Sequence, residues 1–425
     1  MSRGQTSPLR DLWTVNTFRA FWLAGTFSNL GTSAFLMALS WLTVRLYGSH
    51  GIALLALGYG LPQLLLQLFG GVATDRLPRR QLYGLTESSL CLLAGVLWLA
   101  SICGTVPLWM LVAVSAGNGV ISAFDTPARS ALISEMVPSK DVVSAQQIFS
   151  VSAQVAGIFG PALGGLLLSL GGHGKSNESL AFFLNFCSYF PVILCLPFLP
   201  RVVRDAPSRR QHLRIQDVVQ GVRQGLQSVG SNRALVVLMQ LLAVVMLLGG
   251  PFQSLLPIYG HDSSALGADH RAYAILLSAV GFGGLIGSLV GVVSAERRHR
   301  FQSLALAALG LGCSLLLLIA SRAIQWAVLS VFLAGVFNIY AVNLDSALIL
   351  GLTPPQMQGR VTSISGLGKG LQSLTAAAAS ELIGQLIHSP LKAEAINLVQ
   401  GGLAVALIIG AMRLWWPLRR LAVPA

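Results

Sequence analysis

The sequence predicts an all-α polytopic membrane protein in which twelve transmembrane helices form two pseudo-symmetric six-helix bundles. Hydrophobic residues make up 54% of the chain and charged residues only 10%, against about 25% charged in a typical soluble domain. Twelve apolar segments reach or approach the roughly 20 residues that a helix needs to cross a bilayer. One long polar connection divides these segments six and six, and a short sequence pattern recurs in both halves.

Each span is expected to be a helix, because backbone groups in hydrocarbon must hydrogen-bond within their own segment or in a closed barrel. The sequence lacks the alternating segments of about ten residues that form barrel strands. We place spans one to twelve at residues 19–46, 51–74, 81–103, 107–127, 143–171, 179–199, 234–260, 272–295, 301–321, 325–351, 361–387 and 395–416.

The long polar connection carries seven arginines and lies between spans six and seven. It divides the chain into a first bundle at 1–199, a linker at 200–233 and a second bundle at 234–425. Apolar residues recur at helical spacing from Ile215 to Val229, which predicts an amphipathic helix lying on the inner leaflet. A flexible linker whose periodicity is accidental is the alternative.

The two halves resemble each other in sequence. Ser130–Ile133, followed by Pro138, reads Ser-Ala-Leu-Ile, and the same four residues recur at Ser346–Ile349, followed by Pro354. Both matches have an offset of 216 residues. A repeat of this kind predicts two bundles related by an axis along the membrane normal, with a central cavity at their interface.

The positive charges indicate the orientation of the chain. With the N-terminus inside, 22 of the 28 lysines and arginines fall on the inner side and five on the outer side. This asymmetry follows the positive-inside rule and predicts a multi-pass protein of the cytoplasmic (inner) membrane with both termini in the cytoplasm. The net charge of +13 therefore reflects membrane orientation, and we expect no nucleic-acid partner, because no aromatic-interleaved basic module accompanies it.

The sequence offers no pattern for catalysis, a cofactor or a metal. Its five cysteines lie in apolar spans without Cys-x-x-Cys or Cys/His spacing. The segment from Gly281 to Gly287 fits Gly-x-Gly-x-x-Gly, but it follows a membrane segment instead of a strand. A P-loop and a His-Glu-x-x-His pattern are absent from the sequence. We therefore expect a protein that is not an enzyme and that holds neither cofactor nor metal.

A charged loop between spans two and three is the most informative segment. Gly71, Asp75, Arg76, Arg79 and Arg80 lie between two apolar segments, so their charges must sit in the water or headgroup layer. Asp75 ends a helix, where the macrodipole disfavours an anion and favours a positive partner. Simple anchoring of the loop by its three arginines is the alternative interpretation.

Span five carries a cluster of small residues around Pro161. Gly157, Gly160, Gly164 and Gly165 recur at small-xxx-small spacing, which lets a neighbouring backbone approach closely. Pro161 removes one internal hydrogen bond and permits a bend. The pattern predicts a tight seal or a hinge, although packing alone would also explain the glycines.

Two ionisable residues within the spans are candidates for function, because charges inside hydrocarbon cost a few kcal/mol each. Asp345 lies in span ten, and Lys369 lies in span eleven with Gln372 on the same helical face. We expect these residues to bind substrate or a proton, and we predict an Asp345–Lys369 pair across the cavity. A purely structural salt bridge is the alternative.

Four other charged residues are interpreted as structural. Glu87 in span three and Glu381 near the outer end of span eleven are expected to be interhelical or snorkelling residues. Asp125 and Arg129, four residues apart at the inner end of span four, are expected to pair with each other.

Uncharged amides complete the candidate set. Any single one is as readily explained by interhelical packing, but together they favour a substrate of moderate polarity within an apolar, aromatic wall. These candidates are Asn29, Gln63, Asn118, Gln154, Asn338, Asn343 and Gln372.

From Phe18 to Trp416 the chain resembles transporters of the major facilitator superfamily. The loop between spans two and three is similar to the superfamily signature G-x-x-x-D-R-x-G-R-R, with Pro78 in place of the usual glycine. The segment from Gly157 to Gly165 is similar to the G-P-x-x-G-G signature of exporters and antiporters. Local segments such as Phe27–Gly31 resemble the enterobactin-exporter and macrolide-efflux branch, also described as drug:H+ antiporter-3-like.

The resemblance implies roles for several residues. In the family fold, the N-terminus of span eleven near Arg360 approaches the loop, so Asp75 would latch the cytoplasmic face closed and release it when the cavity opens inward. Span ten lines the family's cavity, which supports Asp345 as a candidate. Residues 115–124 lack the arginine that many drug antiporters carry in span four, so proton coupling is expected to use another group.

The sequence and the resemblance together predict a secondary active exporter of small organic molecules, such as a drug, siderophore or metabolite, that works by alternating access. Its expected partners are a small-molecule substrate, a proton and the lipid bilayer, with a monomer favoured. An importer or facilitator of a small solute is the first alternative, and a transport-inactive membrane scaffold or sensor is the second.

Overall fold

The structure is a computed structural model. It describes residues 16–104, 106–138, 141–170, 178–199, 215–262, 269–294, 300–353, 358–387 and 394–420. Within these ranges, the side chains of 71–76, 143, 215–222, 262, 292–294, 300, 358–360, 362–363 and 420 lie outside the described part. All regular structure in the described residues is helical.

The helices follow the predicted spans closely. They are Asn16–Arg76 (spans one and two), Arg79–Ile102 (three), Leu108–Met136 (four), Val142–Ser169 (five), Glu178–Ser188, Phe190–Cys195 and the short 3₁₀ turn Leu196–Phe198 (six), Ile215–Gly230 (the linker helix), Arg233–Val244, the π-helical stretch Val245–Gly249 and Phe252–Asp262 (seven), His270–Ser294 (eight), Arg300–Ala320 (nine), Ile324–Leu352 (ten), Gln358–Ile387 (eleven) and Ala395–Arg420 (twelve).

The first long helix contains two spans separated by a break at Gly48. A straight helix of 61 residues would be about 90 Å long, three times the hydrocarbon thickness. Gly48 interrupts it with φ of 61° and ψ of −155°, a left-handed conformation that glycine adopts without a steric penalty. The chain therefore turns at Gly48 and crosses the membrane a second time as span two.

Twelve membrane helices result. Ten of the helices in the described ranges are long and apolar enough to cross a membrane, and the first of them supplies spans one and two. Span eleven is not among the ten, because Lys369, Gln372 and several glycines and serines make its sequence more polar. At 30 residues it is still long enough to cross the bilayer.

The two bundles repeat one packing arrangement. In the first bundle, Gly119 of span four packs directly on the backbone of Tyr59 in span two, and any Cβ at Gly119 would clash with it. In the second bundle, Gly335 of span ten packs in the same way on the backbone of Val280 in span eight. Gly119 and Gly335 are 216 residues apart, the same offset as the sequence repeat. The pseudo-symmetry predicted from the sequence is therefore present in the helix packing.

Two pairs of helices make the most extensive contacts between the bundles. Span two packs against span eleven, and span five packs against span eight. We refer to these two contacts together as the seam. The end of the molecule that carries residues 45–50 and 103–107 is the end predicted to face outward, and it is called the outer end below.

The linker contains a helix, Ile215–Gly230, and its predicted position on the inner leaflet stays a prediction. This helix packs against span eleven, and of its apolar residues Val229 is buried while Leu226 is exposed. Whether the division at 1–199, 200–233 and 234–425 marks independent units stays a prediction.

The predicted orientation can be tested by labelling single cysteines. In a variant in which the other cysteines are replaced, the exposed Cys103 reports the outer end, and Ser231→Cys in the exposed turn after the linker helix reports the inner end. We expect a membrane-impermeant maleimide to label Cys103 in intact cells and to label the position-231 reporter only after permeabilisation. Labelling of both reporters in intact cells would contradict the topology.

Candidate functional site

Span eleven lies between the two bundles. Gly366 and Gly370 face span two, where a Cβ at Gly370 would lie 2.8 Å from the Leu64 Cβ. On a neighbouring face, the Gln372 side-chain amide donates a 3.1 Å hydrogen bond to the Gly250 carbonyl of span seven. Span eleven therefore contacts span two of the first bundle and span seven of the second.

Lys369 occupies the helical face between these two contacts. At 100° per residue, its side chain falls between the face of Gly370 and the face of Gln372, and it lies opposite the lipid-side residues Leu371 and Leu382. The last two side chains are exposed, as expected of residues that contact lipid. Lys369 is also accessible, and it lies on the face between the contacts with span two and span seven, so it faces the space between the bundles.

Arg129 of span four is the charged neighbour of Lys369. It is close enough for the two cations to interact electrostatically. Within the described residues, no carboxylate lies at ion-pair distance from the Lys369 ammonium. Two positive charges from opposite bundles therefore face one interior region.

The predicted Asp345–Lys369 pair is wrong. Asp345 is 2% exposed, and within the described ranges neither carboxylate oxygen has a hydrogen-bond partner. Asp345 and Asn338 are seven residues apart and share one face of span ten. Asn343 contacts span eight from the opposite face, where its amide donates to Ser288 Oγ at 3.2 Å. Asp345 is therefore turned away from the seam and from Lys369.

A buried cluster of polar residues lies between spans three and four. Thr86 Oγ1 donates a 2.9 Å hydrogen bond to the Asp125 carboxylate. Glu87 is 4% exposed and interacts with Tyr83, Asp125 and Arg129. Asp125 and Arg129 do interact, but as members of this larger cluster.

The sequence interpretation missed this cluster as a unit. The signal was the spacing of Tyr83, Thr86 and Glu87, which places three polar groups on one face of span three. Asp125 and Arg129, one turn apart on span four, supply the matching face. Polar residues at this spacing also occur on peripheral helices. The spacing alone therefore does not predict that the polar face of span three packs against the polar face of span four.

The glycines of span five contact two different helices. Gly160 and Gly164 pack against span one, at Ser33 and Ala34. Gly157 and Gly165 pack against span eight, where a Cβ at Gly165 would lie 2.5 Å from the Ala274 Cβ. Pro161, next to Gly160 in the chain, is also buried.

The centre of the seam is the contact of Gly157 with Gly281. A Cβ at Gly281 would lie 2.5 Å from the Gly157 carbonyl oxygen. One turn towards the inner end, Gln154 donates to Ser288 Oγ at 3.4 Å. The two backbones therefore meet without intervening side chains, which is the close approach that the small-residue pattern predicts.

At the outer end, aromatic and polar side-chain contacts join the bundles. Trp41 of span one stacks on Tyr273 of span eight, with ring centroids 6.1 Å apart. His50 Nδ1 lies 2.7 Å from the Glu381 carboxylate of span eleven. Glu381 is therefore an interhelical residue, one of the two roles expected of it. These contacts hold the outer end of the seam together.

The inner loop is described only in part. Arg79 pairs with Glu135 of span four at 3.2 Å and donates to the Ala131 carbonyl at 3.0 Å. Arg80 donates to the Leu199 carbonyl of span six at 3.3 Å. Both arginines thus bind helices of their own bundle. The side chains of Gly71, Asp75, Arg76 and Arg360 lie outside the described residues, so the latch stays a prediction.

The remaining amide candidates are dispersed. Asn118 donates to the Val114 carbonyl of its own helix at 2.9 Å. Gln63 is 4% exposed, and its Oε1 has no hydrogen-bond partner in the described part of the chain. Asn29 is half-buried in span one. The structure therefore brings together Gln154 and Asn343 at Ser288, and Lys369 with Gln372, but does not gather all candidates into one site.

Substitution of Gly281 by alanine should loosen the seam. The added methyl group would force the backbones of spans five and eight apart, and such overpacking costs about 1–3 kcal/mol. In a background without other cysteines, we expect Gly281→Ala to lower disulfide cross-linking between Ser169→Cys and His270→Cys, whose native side chains lie 3.4 Å apart.

The matched control is Gly402→Ala in span twelve, where an added Cβ meets nothing within 4 Å. Its cross-linking yield should equal that of the parent. Equal yields for both glycine variants would show that the Gly157–Gly281 contact does not hold the bundles together.

Comparisons with known proteins agree with this architecture. The family model described as transmembrane secretion effector matches residues 4–413. The chain is 22% identical over 230 residues to the staphyloferrin A transporter of Staphylococcus aureus (strain NCTC 8325 / PS 47), covering 54% of this chain and 55% of that protein. It is 28% identical over 180 residues to the uncharacterized MFS-type transporter YfiS of Bacillus subtilis (strain 168), covering 41% and 40%. These matches span about half the length of each curated relative.

Solved structures share the fold. The nucleoside transporter NupG (D323A mutant) superimposes with a TM-score of 0.73 at 11% identity, covering 94% of this chain and 100% of that chain. A bacterial homologue of the human lysosomal transporter Spinster, inward-facing and occupied, gives a TM-score of 0.69 at 16% identity, covering 98% of each. With a family model that matches nearly its whole length, this chain belongs to the transmembrane secretion effector family of major facilitator superfamily transporters.

Proposed function

We propose that the protein exports small organic molecules across the cytoplasmic membrane by alternating access, driven by proton antiport. The observation that carries this proposal is the seam. Spans five and eight meet through Gly157 and Gly281, while Lys369 is accessible and faces the space between the bundles. A close backbone contact can separate and re-form as one rigid bundle rocks against the other, and the interior site then faces either side.

Export is favoured by the family description, and one relative supports transport without indicating its direction. The matching family is described as a secretion effector, and one curated relative is a staphyloferrin A transporter. The small-residue pattern from Gly157 to Gly165 resembles that of exporters. Transport, and not catalysis, is the function that these relatives support.

The two bundles at 1–199 and 234–425 would be the moving parts, with 200–233 as the cytoplasmic linker. Asp75 and Arg76 of the inner loop would latch the cytoplasmic face to the Arg360 region of span eleven. In the described part of the loop, Arg79 and Arg80 bind spans four and six, which would fix the loop to its own bundle so that only the contact with span eleven breaks.

Asp345 is the proposed proton carrier. A buried carboxylate without a described hydrogen-bond partner is costly to ionise, so it exchanges its proton only when the surrounding helices admit water or a counter-charge. Because Asp345 is turned away from the seam, it is separate from Lys369. The proton and the substrate can therefore bind at different faces of the second bundle.

Inverted membrane vesicles test direction and coupling together. A proton motive force supplies about 2.3 kcal/mol per charge per 100 mV, equivalent to about a 50-fold accumulation. We expect substrate, identified by comparing the medium of deletion and wild-type strains by mass spectrometry, to accumulate in energised vesicles and to be lost on addition of a protonophore. Asp345→Asn should abolish proton-driven accumulation and leave passive exchange intact.

Asp141→Asn is the matched control, because Asp141 is also a buried aspartate but lies at the start of span five. Accumulation that survives the protonophore would remove the antiport proposal. Uptake of the substrate into right-side-out vesicles, in place of export, would support an importer or facilitator. Wild-type coupling in Asp345→Asn would transfer the proton role to another group.

A further inference from the structure

We propose that Lys369 binds an acidic group of the transported molecule, so that the substrates are amphipathic organic anions carrying a carboxylate. This inference rests on the proposed transport function and deepens it by naming the substrate class. It concerns binding only and does not depend on the direction of transport.

The depth of Lys369 in the membrane is the first step. It lies 11 residues after the first residue of the helix Gln358–Ile387, which corresponds to about 16 Å along the helix axis. A lysine near a helix end can extend its ammonium group to the interface. From this depth the side chain would have to pass more than two turns of packed helix, so its charge stays within the membrane layer.

The missing counter-charge is the second step. An ionised ammonium group inside the membrane layer is stable only when it is paired or solvated. The neighbour that acts on Lys369 is Arg129, another cation. Arg129 is itself engaged by Asp125 and Glu87, so it offers Lys369 no counter-charge.

The nearby carboxylates do not meet this need. Asp345 lies on the side of span ten that faces away from the seam. Glu87 and Asp125 are engaged by Tyr83, Thr86 and Arg129 within the first bundle. Among the described residues no carboxylate is left to pair with Lys369, so an anionic molecule that enters between the bundles would supply its counter-charge.

The walls around Lys369 indicate the rest of the ligand. Leu64 of span two and Met246 of span seven contact the glycines on either side of it, Gly370 and Gly368. The polar neighbour Gln372 already donates to the Gly250 carbonyl. One cationic anchor between apolar side chains suits a carboxylate attached to an aliphatic or aromatic body.

The experiment measures binding to the purified full-length protein in detergent. The probes are benzoate, naphthalene-2-carboxylate and octanoate, each compared with the uncharged amide and the cationic amine of the same skeleton. We expect at least one carboxylate to raise the melting temperature and to bind about 10- to 100-fold more tightly than its amide, since hydrogen bonds to charged groups contribute about 1.5–3 kcal/mol.

Three variants test whether the preference for the carboxylate depends on Lys369. Lys369→Met should retain a wild-type melting temperature without probe, because it removes a costly charge, and should bind the carboxylate and the amide equally. Lys369→Arg should keep the preference for the carboxylate. Arg322→Met, which removes a cation from the exposed outer end, should leave all affinities unchanged.

Equal binding of carboxylates and amides to the wild-type protein would overturn the inference, and so would preferential binding of the amines or the absence of any carboxylate-specific stabilisation. A carboxylate preference that persists in Lys369→Met would assign the anion site elsewhere. Failure of the vesicle experiment alone would refute export or proton coupling and leave this binding result standing.

Discussion

The cost of placing charge in hydrocarbon governs every other feature of this molecule. Helices of about 20 or more residues satisfy their own backbone groups, so they can cross the bilayer, but a charged side chain on such a helix must turn away from lipid. In span eleven, the apolar residues Leu371 and Leu382 are exposed while Lys369 lies on the opposite side. The need to shelter Lys369 therefore orients span eleven and places an accessible cation at the boundary between the bundles.

The seam adds a second constraint. The proposed alternating access requires helices that pack closely and can still separate. Large interlocking side chains would resist separation, whereas two backbones in contact at Gly157 and Gly281 have no interlocked side chains to disengage. At the outer end, two further contacts join the bundles: Trp41 stacks on Tyr273, and half-exposed His50 contacts Glu381. Exposed ion pairs contribute little stability, so these contacts close the outer end without fixing it permanently.

Much of the fold could be predicted from the sequence, because the relevant signals are local. Span length, loop charge and the 216-residue repeat identified the helices, and Gly119 and Gly335 repeat one packing contact at that same offset. The close approach at Gly157 also followed from its small-residue spacing.

The candidate site was harder to predict, because it depends on how helices are rotated about their axes. Asp345 and Lys369 have suitable charges and depths, yet span ten turns Asp345 away from the seam. The cluster of Tyr83, Glu87 and Asp125 requires two helices to present matching faces. A single sequence gives the periodicity of each face but not the partner that it meets.

Paired distance measurements between spin labels test the central claim that the two bundles rock about the seam. One pair joins the outer ends of the bundles, at Cys103 and Arg322, and the other joins their inner ends, at Ser134 and Gly351; all four positions are exposed. We expect two populations, one with a short outer and a long inner distance and the other with the reverse, and we expect substrate and pH to change their ratio. Distances that stay fixed, or that lengthen together at both ends, would contradict it.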